Sequence, residues 1–92
     1  MSSGSSWRYS RPRLTEALDR WKASGPTPEM QDAVDEALMD LIQDPAGWGR
    51  QDPDQPGIYQ RTIRAAGAAR VGILYVIPER GVVAVVDIRR EP

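Results

Sequence analysis

Two of the residue types missing from this 92-residue chain, cysteine and histidine, narrow its chemistry most. Without cysteine there is no disulfide framework, no thiolate nucleophile and no Cys-ligated zinc or iron–sulfur centre. Without histidine the chain lacks the commonest acid–base group at neutral pH and the commonest metal ligand. Lysine is nearly absent too, with Lys22 alone. Any chemistry must therefore run on arginine, Lys22, tyrosine, hydroxyls or carboxylates, and no metal or cofactor is expected. No apolar run approaches membrane-spanning length, the longest (71–77) being strand-sized. The N-terminus has no apolar segment of the secretory kind. A cytoplasmic protein without a membrane partner is the expectation.

The length suits one small domain. Apolar residues at 40% and charged residues at 27% are ordinary for a globular chain. Residues 1–6 are rich in serine and glycine and are expected to be a disordered tail, leaving 7–92 as the domain. The net charge of −1 hides an uneven distribution. Arg8, Arg11 and Arg13 open the chain without an acid. Residues 15–55 hold ten acids against Arg20, Lys22 and Arg50, and 56–92 hold six arginines against Glu79, Asp87 and Glu91. The basic ends are thus built from arginine, the side chain best suited to bidentate contacts with phosphate or carboxylate.

Trp7-Arg8-Tyr9 alternates like a short strand, and Ser10 offers a capping oxygen to the helix that follows. Leu14, Ala17, Leu18 and Trp21 form that helix's apolar stripe, which Ser24-Gly25-Pro26 stops. Thr27 caps a second helix, with Pro28 first inside it and Met30, Val34, Ala37, Leu38, Leu41 and Ile42 on its apolar face. Its opposite face, with Asp32, Asp35, Glu36 and Asp40, reads as solvated. Residues 44–57 hold three prolines and three glycines and read as a long loop, with Trp48 as its anchor or as a stacking platform.

Strand periodicity begins at residue 58. It predicts strands over 58–65, 70–77 and 82–89, with Pro78-Glu79-Arg80-Gly81 as a turn. Gly72 weakens the second of these or marks a bulge. The run Val82 to Val86 predicts a strand covered on both faces. Tyr59 and Trp21 are expected in the core. Arg61 shares parity with Tyr59 and Ile63, so it either reaches a helix acid such as Asp35 or Asp40, or lies on an exposed edge. Arg64 and Arg70 read, on their own, as acid-paired or solvated strand residues, and Arg89-Arg90 as a solvated terminus. The order strand, helix, helix, three-strand meander predicts an α+β sandwich: a four-stranded, antiparallel-rich sheet with a two-helix hairpin on one face, and the first strand beside the last.

This order resembles the RelE/ParE superfamily of toxins from bacterial type II toxin–antitoxin systems, over residues 7–90. Its parts are Trp7-Arg8-Tyr9-Ser10, the helix Leu14 to Trp21, the Asp44-Pro45 step and Ile58-Tyr59-Gln60-Arg61-Thr62-Ile63-Arg64. Then come Arg70-Val71-Gly72-Ile73-Leu74-Tyr75-Val76-Ile77 and Val83-Ala84-Val85-Val86-Asp87-Ile88-Arg89-Arg90.

The resemblance implies a growth-inhibiting toxin neutralised by a cognate antitoxin. In the RelE-like branch it implies a ribosome-dependent endoribonuclease acting on mRNA; in the ParE-like branch, a non-enzymatic poison of DNA gyrase; in a degenerate member, antitoxin binding alone. Carried over by position, the catalytic candidates are Arg64, Arg70, Arg89 and Arg90. Gln60, Arg61, Thr62, Tyr75 and Trp48 are candidates for contact with RNA or a partner. Gln60 and Thr62 stand where such nucleases commonly have lysines, and the C-terminal tyrosine of the family has no counterpart before Pro92. The resemblance names no general base.

Overall fold

The computed structural model describes residues 7–91; the 1–6 segment expected to be a tail lies outside them. The chain forms β1 (Arg8–Tyr9), α1 (Arg11–Ala23), α2 (Pro28–Leu41) and the single helical turn α3 (Pro45–Trp48). β2 (Arg50–Asp52), β3 (Gln55–Arg64), a 3-10 turn at Ala66–Ala68, β4 (Arg70–Glu79) and β5 (Val82–Glu91) follow.

The helices sit where their stripes and caps place them. Ala17 and Trp21 of α1 are buried, and Arg20 and Lys22 in its last turn suit the negative helix end. Ser10 occupies the N-cap position of α1, but its hydroxyl makes no capping bond. Its backbone is claimed by the sheet instead, its N–H donating to the Val83 carbonyl at 2.8 Å. Thr27 does cap α2, Oγ1 accepting from the Met30 N–H at 3.2 Å. Asp32, Asp35, Glu36 and Asp40 lie exposed on the outside of α2.

The α+β class holds, while the strand count differs from expectation. The sheet has five strands in the order β1-β5-β4-β3-β2, mixed because β1 runs parallel to β5 while the other pairs are antiparallel. The additional strand comes from the segment expected as loop. There Pro45 is buried at the start of α3, and β2 folds back on β3 with Arg50 opposite Gln60 and Gln51 opposite Tyr59. Asp52 Oδ1 accepts from the Asp54 N–H at 2.9 Å and closes the turn between them. β3 therefore starts at Gln55 rather than 58, and β4 continues through Pro78 and Glu79, narrowing the turn to Arg80-Gly81.

Gly72 marks no bulge. It keeps register with Thr62 on one side and Arg89 on the other. The β4–β5 ladder has two irregularities: one between Val76 and Glu79, and one further along β5, where Leu74 faces Asp87 but Tyr75 faces Val85, leaving Val86 as the extra residue. Arg20 Nη2 donates to the Val86 carbonyl at 2.8 Å, tying α1 to this bulge. The bulge reverses the parity of everything after it. Val83 and Val85 face the helices before it, and Ile88 does so after it.

Both helices cover one face of the sheet. Val71, Ile73, Tyr75, Val83, Val85 and Ile88 form one core with Trp21, Met30, Val34 and Leu41. Each large side chain sealed there is worth roughly 1.5–3 kcal/mol of burial. On β5, Val82 and Ala84 are buried as well, so both of its faces are covered as far as Val85, whereas Val86 is 42% exposed. No helix among the described residues is long and apolar enough to cross a membrane.

Candidate functional site

The sheet face turned away from the core collects the charged residues of β3, β4 and β5. Strand alternation places Gln60, Thr62 and Arg64 there from β3, and Arg70, Gly72 and Leu74 from β4. After the Val86 bulge, Asp87, Arg89 and Glu91 join them from β5. The register sets these residues in rows: Arg64, Arg70 and Glu91 side by side, then Thr62, Gly72 and Arg89. β2 adds Arg50 opposite Gln60 and stops there, so residues 61–64 form an open edge.

Charge on this face is poorly compensated. The only ion pair among the described residues joins Arg89 Nε to Glu91 Oε2 at 3.4 Å. Arg64 and Arg70 are exposed, directly opposed and without an acid partner. With Thr62 and Glu91 they line a groove of about 490 Å³. A second groove of about 480 Å³ runs from Gly49 and Arg50 past Gln60 and Thr62 to the same Glu91. Forked guanidiniums around an open groove make a seat for an anion with several oxygens, such as a phosphodiester.

Gly72 shapes this seat by what it lacks. A Cβ there would stand 2.9 Å from Glu91 Oε2. Because the space is free, the Glu91 side chain folds across β4 instead of extending beyond the sheet.

Of the remaining candidates, Trp48 and Arg61 also border the second groove, at the β3 edge, while Arg90 and Tyr75 lie away from it. Arg90 shares parity with Ile88 and so faces the helix side, where its Nη2 lies 3.5 Å from the Gly25 carbonyl. Arg61 neither reaches Asp35 nor Asp40. It lies over the Trp48 ring, 4.8 Å from the centroid, and donates to the Trp48 carbonyl at 3.1 Å. Trp48 is an anchor: one face meets Arg61, and its ring lies tilted 6.0 Å from Tyr75. Tyr75 is fully buried. Its hydroxyl donates to the Pro45 carbonyl at 2.6 Å and accepts from the Gly49 N–H at 2.8 Å, so it holds α3 on the sheet. Burial pushes its phenol up to about 12, with the Gly49 hydrogen bond acting in the opposite direction. Tyr59 stacks on Tyr75 at 5.3 Å and belongs to the same aromatic wall.

The resemblance implied one face for Gln60, Thr62, Arg64, Arg70 and either Arg89 or Arg90; the register selects Arg89 and adds Arg50 and Glu91, which sequence reasoning missed. Strand alternation from Arg89 carries the signal for Glu91, since residues two apart share a face. Arg50 carries no such signal, because β2 has no apolar alternation. No protein-family model, no curated protein and no solved structure matches this chain.

Proposed function

We propose that this chain is the toxin of a type II toxin–antitoxin pair, of the RelE/ParE kind, and that its helix-free sheet face binds and cuts mRNA on the ribosome. The observation that supports this most is the pair Arg64 and Arg70, opposed in register, exposed and free of acid partners among the described residues, with Arg89 one row away. RNA cleavage by its own 2′-hydroxyl builds negative charge on a pentacoordinate phosphate, which fixed cations stabilise. In this reading Arg70 stabilises that phosphate and Arg64 positions it. Arg90 takes no part. A cognate antitoxin would offer carboxylates to the same arginines and close the face. The protein would act in the cytoplasm.

One observation favours a ParE-like gyrase poison instead. Gln60 and Thr62, beside Arg64 on the same face, supply no cation. Mapping transcript 5′ ends after induction in a bacterium lacking the partner separates the readings. Growth arrest with codon-phased cuts inside translated messages is the expected result, and Arg70→Ala abolishes both without unfolding the protein. Arrest without cuts transfers the proposal to gyrase. Unimpaired growth leaves a member that only binds its antitoxin.

A further inference from the structure

We infer that Glu91 is the general base of this face, taking the proton of a ribose 2′-hydroxyl as that oxygen attacks the adjoining phosphate. The inference rests on the nuclease reading above and supplies the group that the arginines cannot. A guanidinium keeps its proton throughout the pH range of a folded protein, so Arg64, Arg70 and Arg89 can hold a phosphate but accept nothing. The neighbouring Gln60 and Thr62 side chains are not bases at neutral pH.

Glu91 is the one acid that lines the two grooves, and it lines both. Its backbone pairs with Arg70 at the end of the sheet. Its carboxylate, however, folds inward over Gly72, with Oε2 2.9 Å from where a Cβ would stand. The Arg89 guanidinium holds Oε2 there at 3.4 Å. The other oxygen has no partner among the described residues, and the side chain keeps 31% exposure. A carboxylate oxygen thus lines the same groove as two arginines that have no ion pair among the described residues. That is the arrangement proton abstraction next to a bound phosphate requires.

The step balances without a further reagent. The 2′-oxygen forms its bond to phosphorus, the bond from phosphorus to the 5′-oxygen breaks, and the 2′-hydroxyl proton passes to Glu91. The 5′-oxygen takes a proton from water, and the hydroxide left behind recovers the proton from Glu91. The products are a 2′,3′-cyclic phosphate and a 5′-hydroxyl. The substrate must therefore be RNA, and a 2′-deoxy nucleotide at the scissile position stops the reaction while leaving phosphate contacts intact.

Glu91→Gln tests the assignment, because it moves rate and affinity in opposite directions. The assay uses the full chain with ribosomes programmed with a short synthetic message, read in single turnover at saturating protein, with binding measured on the 2′-deoxy message. Glu91→Gln is expected to cut more slowly by about 10²-fold or more, the range of a lost general base. It is expected to bind at least as tightly as the wild type, since a negative charge beside the phosphate is gone. Gly72→Ala keeps the carboxylate but displaces it, and should slow cutting without weakening binding. Equal rates for wild type and Glu91→Gln, or a loss explained wholly by weaker binding, overturn the role of Glu91 and leave the nuclease reading standing. A wild-type protein that leaves the message intact overturns both.

Discussion

Arg64 and Arg70 stand directly opposite one another across the β3–β4 ladder, and neither has an acid partner among the described residues. Like charges so placed on a sheet oppose folding, and an anion between them reverses the sign. Arg64→Gln should therefore stabilise the free protein in low-salt chloride by about 0.3 kcal/mol, or about 2 °C in Tm. Sulfate or phosphate should raise the wild-type Tm more than that of the variant, because binding to the folded state alone adds stability. Thermal melts at matched ionic strength read both effects. Equal gains in the two proteins would show that the pair binds no anion.

Gly49 and Gly72 both stand where a Cβ would collide, but their neighbours differ in freedom. At Gly49 the obstacle is the buried Tyr75 hydroxyl, 2.6 Å away and bonded to the Pro45 carbonyl. At Gly72 it is the end of the Glu91 side chain. Gly49→Ala should cost about 2 kcal/mol or more, as overpacking at a fixed site does. Gly72→Ala should stay within about 0.5 kcal/mol of wild type, since a half-exposed carboxylate can swing away. Urea melts of both variants test the contrast, and similar costs would mean that Glu91 is held more firmly than its surroundings explain.

Arg61 and Trp48 form a local clasp over the aromatic wall. Removing either loses the ring contact at 4.8 Å, and removing Arg61 also loses the hydrogen bond to the Trp48 carbonyl. Trp48→Ala should cost about 3 kcal/mol, and Arg61→Ala about 1 kcal/mol. A double-mutant cycle should return a coupling of about 0.5–1 kcal/mol. Under the proposed function, message cutting should survive Arg61→Ala, because the Arg61 guanidinium is committed to the Trp48 ring and carbonyl although it borders the second groove. Loss of cutting in a folded Arg61→Ala protein would extend the proposed site around the β3 edge.

The elements with strong periodicity were legible in the sequence. Stripes of 3.6 residues gave both helices and alternation the three long strands, while the common face of Arg64 and Arg70 came only from the family resemblance. β2 was not legible, because Arg50-Gln51-Asp52 lies on an edge and buries almost nothing; its pairing comes from the Asp52 turn and the β3 backbone. The choice between Arg89 and Arg90 was closed by the extra residue at Val86, which shifts the parity of all that follows. Nothing local to β5 announces that shift. The place of the Glu91 carboxylate depends on a missing side chain on a neighbouring strand, and the Tyr75 hydroxyl finds its acceptor 30 residues away. Such contacts exist only once the sheet has formed.

Burial of that phenol makes the stability of the fold depend on alkaline pH. Tyr75 titrates near pH 10 in the unfolded chain and is pushed up to about 12 by burial in the folded one. Burial also raises Tyr9, whose hydroxyl donates to the Leu38 carbonyl. A raised phenol favours the folded state fully below the unfolded value, and that preference is lost as pH climbs through the folded value. Stability should therefore be flat up to about pH 10 with respect to these two groups, then fall by about 1.4 kcal/mol per pH unit for each. The part due to Tyr75 amounts to about 3 kcal/mol by pH 12. Tyr75→Phe removes that part of the slope. It also leaves the Gly49 N–H and Pro45 carbonyl unpaired, at about 1–3 kcal/mol of stability at neutral pH. Urea unfolding at pH 8, 10 and 11 on both proteins separates the two effects, since one changes the level and the other the slope. Parallel slopes above pH 10 would assign the alkaline transition to a group other than Tyr75.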